Sequence, residues 1–418
     1  MAIAGTEAGQ PQNQFSGRIK SGSVDRRSEN IIYVLYQMNK RFTPYCLLGL
    51  TLLSACRDKY LPDLQNQANG YLVVQGFINV GTGPTNIQLT RATSLDSSFV
   101  QYETGAQVEV QAASGASYPL TEISNGKYSI SQVPVSPGEQ YRLHIHTSYG
   151  KDYLSDLSDI KITPPIDTVT WKAADDGVTV YVSAHDDQNK TQYYQWQFEE
   201  TWQYHSFYQS VYLYSNFTLI PRTADQMVYT CWRSNPSSDI SIASTSRLKA
   251  DVISDFPLTK LPFSSTDKLG IKYSIQVKQY ALTKTWYDWE QMVQKNTEQL
   301  GSIFDAQPSQ TGGNIHSTTD PAELVIGFVG CTSETTKRIF IDHMQIPYAR
   351  IYTGDENCSL DTIKYDPAVM AAYLSYPNAL AVSIVYTGPV PTGVNITDAK
   401  CADCTLKGGS TVKPDFWP

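Results

Sequence analysis

Tyr194, Trp196, Phe198, Trp202 and Tyr204 all carry even numbers, and no other pattern in the chain restricts its fold so tightly. Side chains two positions apart share one face of a β-strand, whereas a helix would scatter them around its surface. Five large rings on one face need a broad apolar partner, so this strand is expected to form the core face of a sandwich. Glu200 falls in the same row, and Glu199 on the opposite side. A carboxylate buried among rings needs a cation or water beside it.

The period of two recurs over shorter stretches. Residues 71–78, 86–90, 108–110, 128–130 and 141–145 read as strands, and Gly81-Thr82-Gly83-Pro84 and Asn125-Gly126 read as turns. Six or seven short strands at regular spacing predict a small β-sandwich over residues 70–165. Pro164-Pro165 marks its end, since successive prolines do not continue a central strand. Residues 166–418 are expected to form a larger β-rich domain, with strands at 271–280, 323–330, 338–341 and 379–386 and a partner for the aromatic strand at 212–217.

One amphipathic helix is predicted. Trp286, Trp289, Val293 and Leu300 recur at spacings of three, four and seven. Thr285 is its expected cap, with Asp288 three residues on, and Gly301 its end. The two tryptophans should pack on a sheet. A short second helix is expected at 367–374. The fold class is therefore mainly β, and a content of 28 Tyr with only 17% charged residues suits strands with polar loops.

A different signal precedes these domains. From Met38 the chain reads Met-Asn-Lys-Arg, then about a dozen mostly apolar residues, then Leu53-Ser54-Ala55-Cys56. A basic start, a short apolar run and small residues before a cleavage point make a secretion signal. The run is too short to span a bilayer, which takes about 20 residues. Leu53, Ser54 and Ala55 resemble a bacterial lipobox, so Cys56 is the expected lipid acceptor and mature N-terminus. Residues 38–56 are thus the signal and 57–69 a polar tether. Residues 1–37 are expected to be an upstream extension from a misassigned start, a long leader being the alternative. Lipid anchorage is expected to hold the protein on a membrane; the mixed charges of Arg57-Asp58-Lys59 leave the membrane face open.

Export also frames the cysteines, because disulfides persist outside the cytoplasm. Of seven, Cys46 leaves with the signal and Cys56 is acylated, which leaves five. At most two bridges and one thiol are expected. Cys401 and Cys404 have the gap of zinc or redox motifs, but no second pair completes a zinc site and no βαβ unit surrounds them. A structural disulfide is favoured, with Cys358 the first candidate partner, Cys231 the next, and Cys331 the expected free thiol.

Chemistry-bearing patterns are otherwise sparse. A net charge of -8 without a cluster of Lys and Arg argues against a nucleic-acid partner. No nucleophile elbow, zinc-protease motif or phosphate-binding glycine loop occurs. His144 and His146 share a strand face, but without an evident third ligand they read as solvated, and no metal or other cofactor is expected. Asp175-Asp176, Asp186-Asp187 and Asp251 with Asp255 read as turn and loop residues. Trp196, Trp202 and Tyr204 are the candidate ligand-contact aromatics, weighed against a place in the core. No catalytic residue is assigned.

Three stretches carry a family resemblance. They are YYQWQFEETWQY at 193–204, NTEQLGSIFDAQP at 296–308 with Gly313-Asn314-Ile315, and the ending Cys401-Ala402-Asp403-Cys404, Gly408-Gly409 and Lys413-Pro414-Asp415-Phe416-Trp417. With the lipobox, they resemble Bacteroidota lipoproteins of domain of unknown function 4249, over about residue 56 to the end. Residues 126–143 also resemble prealbumin-like and immunoglobulin-like accessory domains. The family resemblance implies an outer-membrane lipoprotein that binds a ligand or assists a TonB-dependent receptor in nutrient uptake. The alternatives are a carbohydrate- or peptide-processing enzyme using unrecognised carboxylates, and a structural adhesin-like module.

Overall fold

The computed structural model describes residues 70–92, 99–298, 312–346 and 357–418. The signal, Leu53, Ser54, Ala55, Cys56, the tether, and Leu300 and Gly301 lie outside them. The expected short strands form because their inward positions alternate. In Thr85–Arg91, Thr85, Ile87, Leu89 and Arg91 are buried, and in Gln140–His146, Tyr141, Leu143 and Ile145. Arg91 is the one cation in these rows, and its Nε lies 2.6 Å from Glu103 inside the body.

The order of pairing is circular. Leu72–Asn79 pairs Thr85–Arg91, which pairs Lys127–Ile130, then Ser117–Ser124, Gln107–Ala112, Gln140–His146 and Ser158–Lys161. Cys331–Thr332 then lies parallel to both Ser158–Lys161 and Leu72–Asn79 and closes the ring. Val325–Ile326 and Ile315–Ser317 add further pairings to the same body. The boundary expected at 165 therefore needs correction. Residues 70–165 leave an open edge, which two distant residues seal, since an unpaired strand edge is a liability. The described residues from Gly70 to Pro418 form one compact unit. The strand expected at 323–330 shrinks to Val325–Ile326, because Gly327 turns out of the extended region at φ 134°.

The second body is a sandwich. Ile166–Ala174, Gly177–His185 and Val252–Pro262 make one sheet. Tyr193–His205, flanked by Thr230–Pro236 and Ser241–Ser244 on one side and Lys272–Ala281 on the other, makes the second, with Glu334–Asp342 outermost. Val178, Val180 and Val182 face the even row of the aromatic strand across one core. Most polar tips in that row are bonded, the exception being Trp202 Nε1, which is buried without a hydrogen-bond partner among the described residues. Tyr194 Oη donates to Asp251 at 3.0 Å, and Trp196 Nε1 to Gln279 at 2.8 Å. Glu200 accepts from Lys268 Nζ at 2.6 Å and Tyr273 Oη at 2.7 Å, the cation its burial calls for.

Residues 212–217 are not the partner of the aromatic strand. Tyr212–Ser215 turns back on Thr218–Pro221 and packs on a small C-terminal module. That module contains Asp361–Lys364, Ala379–Thr387 and Val390–Asp398, with the helix Pro367–Leu374 capped by Asp366. Cys358–Cys401 braces it internally, and Cys231–Cys404 ties it to the aromatic sheet. The second bridge closes a span of 173 residues, worth roughly 5 kcal/mol in a chain-entropy account. Gly409 is required there, because a Cβ would lie 2.3 Å from Tyr204 Oη.

The chain crosses between the two bodies at residue 163 and again at 333, and buried groups join the crossings. Thr163 N donates to Ser333 Oγ at 2.8 Å, and Thr163 Oγ1 donates to Ser333 O. Ala281 N donates to Thr163 Oγ1 at 2.9 Å, and Thr332 Oγ1 donates to Ala281 O at 2.8 Å.

Two outcomes follow. Thr163→Val strands the buried amide of Ala281 and leaves Ser333 O only a 3.3 Å bond from Thr332 Oγ1, a stranded buried group costing about 1–3 kcal/mol. Urea denaturation should show a loss of about 2 kcal/mol or more, with the slope unchanged. Cys331 is the free cysteine among the described residues, and burial pushes its thiol up to about 12. The folded mature chain should resist a thiol reagent at pH 8, and without reductant should release one reactive thiol on unfolding.

Candidate functional site: a cleft under the tryptophan helix

The odd-numbered face of the aromatic strand is polar, and Gln195 and Gln197 lie on it. The helix Lys284–Glu298 crosses this face. Its cap is Thr283 rather than Thr285: Thr283 Oγ1 accepts from Trp286 N at 3.2 Å. The expected stripe then packs. Tyr287 meets Tyr193 with ring centroids 5.0 Å apart, and Gln294 Nε2 donates to Ile240 O at 2.6 Å. Trp286 stacks on Phe328 at 5.8 Å and 14°, while Trp289 tilts against the same ring at 6.0 Å. Trp289 Nε1 donates to Gly312 O at 3.0 Å. The helix thus touches the aromatic sheet on one side and the returning 312–330 segment on the other.

Between them opens a cleft of about 350 Å³. Val74 to Phe77 of the first strand form one wall, and Ser237 to Ile240 another. Gln195, Gln197 and Tyr280 supply the floor, and Trp286, Trp289, Glu290 and Phe328 the roof. Trp289, Phe328 and Phe77 are half-buried, while Gln75, Gln197, Ser238 and Asp239 are exposed. Glu290 is 8% exposed and accepts from Trp286 Nε1 at 3.0 Å. Burial raises its carboxyl pKa, with the hydrogen bonds from Trp286 and Gln195 pulling the other way. Among the described residues, no Lys, Arg or His lines the cleft.

A wider groove of about 790 Å³ runs along residues 160–165 and 185–191. Asp186 and His185 among its polar groups are engaged in holding the turn. Asp186 accepts from the backbone of Gln188, Lys190 and Thr191, and His185 Nδ1 lies 2.7 Å from Asp167. The smaller cleft combines half-open rings with a buried carboxyl, the usual mark of a ligand site.

The sequence candidates fall elsewhere. Trp196, Trp202 and Tyr204 are 0%, 4% and 5% exposed, so as ligand contacts they are corrected to core residues. Cys231, Cys358, Cys401 and Cys404 form the two bridges described above. His144 lies between Glu109 and Asp152 at 2.9 and 3.1 Å, and His146 is 2.9 Å from Asp152. These are surface hydrogen-bonded pairs, and among the described residues no group of three or more His, Cys, Asp or Glu is arranged to hold a metal ion. Asp176 and Asp255 pair with Lys260 and Lys172. Sequence reasoning missed Glu290, Phe328 and the glutamines. The available signal was a carboxylate four residues after Trp286, on the apolar stripe of a helix.

Gly330 decides how closely the helix can approach, since a Cβ there would sit 2.3 Å from the Trp286 ring. Gly330→Ala should destabilise the fold by about 1–3 kcal/mol through overpacking. It should also shift Trp286 and Trp289 emission, a readout of cleft geometry that a distant core mutation of equal cost would leave in place.

No curated protein matches the chain. Among solved structures, a biofilm associated protein, its BSP domain, aligns at 7% identity and a TM-score of 0.12, over 65% of this chain. The chain spans 60% of that structure's length, and the likeness carries no argument about fold or function. The family model described as Domain of unknown function (DUF4249) matches residues 57–338. On that match, which covers more than half of its length, the chain belongs to this family.

Proposed function

We propose that the protein is an outer-membrane lipoprotein that binds a small ligand in the cleft under the tryptophan helix and serves a TonB-dependent receptor. The observation that carries the binding role is the cleft itself, where half-buried rings meet exposed polar side chains at a place held by several segments. The lipobox supports the anchor. Acyl chains on Cys56 would contribute about 0.8 kcal/mol per buried methylene. Among the described residues no helix is long and apolar enough to cross a membrane. The receptor link draws on the family resemblance alone. A purely structural module would need no such cleft.

A second reading draws on the same place. Asp239 and Glu290 both line the cleft, and two carboxyls across a cleft are what glycoside hydrolysis uses. It requires turnover, with Asp239→Asn abolishing it.

The binding role is tested on protein taken from cells. Intact mass should begin at an acylated Cys56, and mild-detergent purification should recover a barrel receptor. An unmodified Cys56 thiol or a retained leader would overturn the anchor, and recovery without any barrel protein would overturn the uptake link.

A further inference from the structure

We infer that the cleft takes an uncharged, hydroxyl-rich ring ligand, a neutral oligosaccharide presenting one or two sugar rings. This rests on reading the cleft as the binding site. Three half-buried rings, Trp289, Phe328 and Phe77, line it. A sugar ring has one face of C–H groups that packs on an aromatic plane, while its hydroxyls point outward around the rim. Trp and Tyr-like surfaces of this kind offer large contact area at low entropy cost.

The rim matches the hydroxyls. Gln75 and Gln197 present side-chain amides to solvent in the cleft, and Ser238 adds a hydroxyl. An amide both donates and accepts, as does each sugar hydroxyl, so either orientation of the ligand's O–H can be satisfied. Glu290 stands behind them with one oxygen held by Trp286 Nε1. Its burial raises its pKa, and its oxygens can accept from a ligand hydroxyl.

Charge narrows the class further. Among the described residues no cationic side chain lines the cleft, and Asp239 and Glu290 there oppose an anionic ligand. Asp239 is exposed to solvent, which screens its charge, and it already accepts from Ser238 Oγ at 3.2 Å, so it is a weak lure for a cation. An extended peptide could not add to the aromatic strand. The aromatic strand is hydrogen-bonded on both flanks, so it offers no free edge for strand addition. The volume, about 350 Å³, sits near the lower bound of ligand pockets, roughly 300–1,000 Å³.

The test uses the lipid-modified mature chain in detergent, titrated by calorimetry and saturation-transfer NMR. The probes are neutral tetrasaccharides of glucose, mannose and xylose, an oligogalacturonate, and a tetralysine peptide. At least one neutral sugar should bind. Gln197→Ala, at an exposed position, should weaken it about five- to tenfold, the loss of one hydrogen bond. Trp289→Ala should weaken it at least as much, with folding checked by an unchanged melt in the Gln197 variant. If a charged probe binds instead, sensitive to Gln197→Ala, the cleft remains a binding site and the neutral-sugar assignment falls. Sugar binding indifferent to both substitutions, or no neutral sugar bound at all, also overturns the assignment. Recovery of a barrel receptor separately decides the uptake role.

Discussion

A knot of buried hydroxyl and backbone groups at Thr163, Ala281, Thr332 and Ser333 holds the two β bodies in one relation. The chain leaves the first body at Thr163 and leaves it again at Ser333, so both crossings meet at one point. Each group there is removed from water, and a missing partner would cost a full desolvation penalty rather than a fraction of a hydrogen bond. The sheet ending at Ala281 is pinned to the same point, which sets the aromatic strand beside the first strand of the ring.

The cleft is a consequence of that relation. Val74 to Phe77 belong to the first body, and Gln195, Gln197 and Tyr280 to the second. Phe328 arrives on the returning segment, two residues before Gly330 admits the Trp286 ring. A helix laid across the seam fastens both sides and leaves a rimmed hollow beneath its indoles. Ligand sites commonly form at such seams, because neither body alone needs to fill the space with its own core.

The C-terminal module depends on a different device. Its own core is small, with Met370, Leu374, Val394 and Ile396 at its centre. A core of that size gives limited stability, and small domains generally use covalent braces. One bridge braces the module and the other joins it to the sheet under Tyr204, whose hydroxyl also donates to Cys404 O at 2.7 Å. The aromatic row thereby supports the module while filling the sandwich core.

Local periodicity determined a good part of this molecule. The even row from Tyr194 to Tyr204 dictated a long strand with one aromatic face, and Glu200 within it demanded a cation or water, met by Lys268. The stripe of Trp286, Trp289 and Val293 dictated a helix packed on a sheet, and Asp366-Pro367 the start of another. These are readable because their cause lies within a dozen residues. Tertiary structure alone decided that Trp196, Trp202 and Tyr204 face a core and not a ligand, since alternation says which residues share a side and not what covers it. It also decided the closure of the ring by Cys331–Thr332 and the gathering of Gln75, Gln197, Asp239, Glu290 and Phe328. Two-residue strands have no period to detect, and polar residues bound for a cleft look like solvated ones until contacts hundreds of residues apart bring them together.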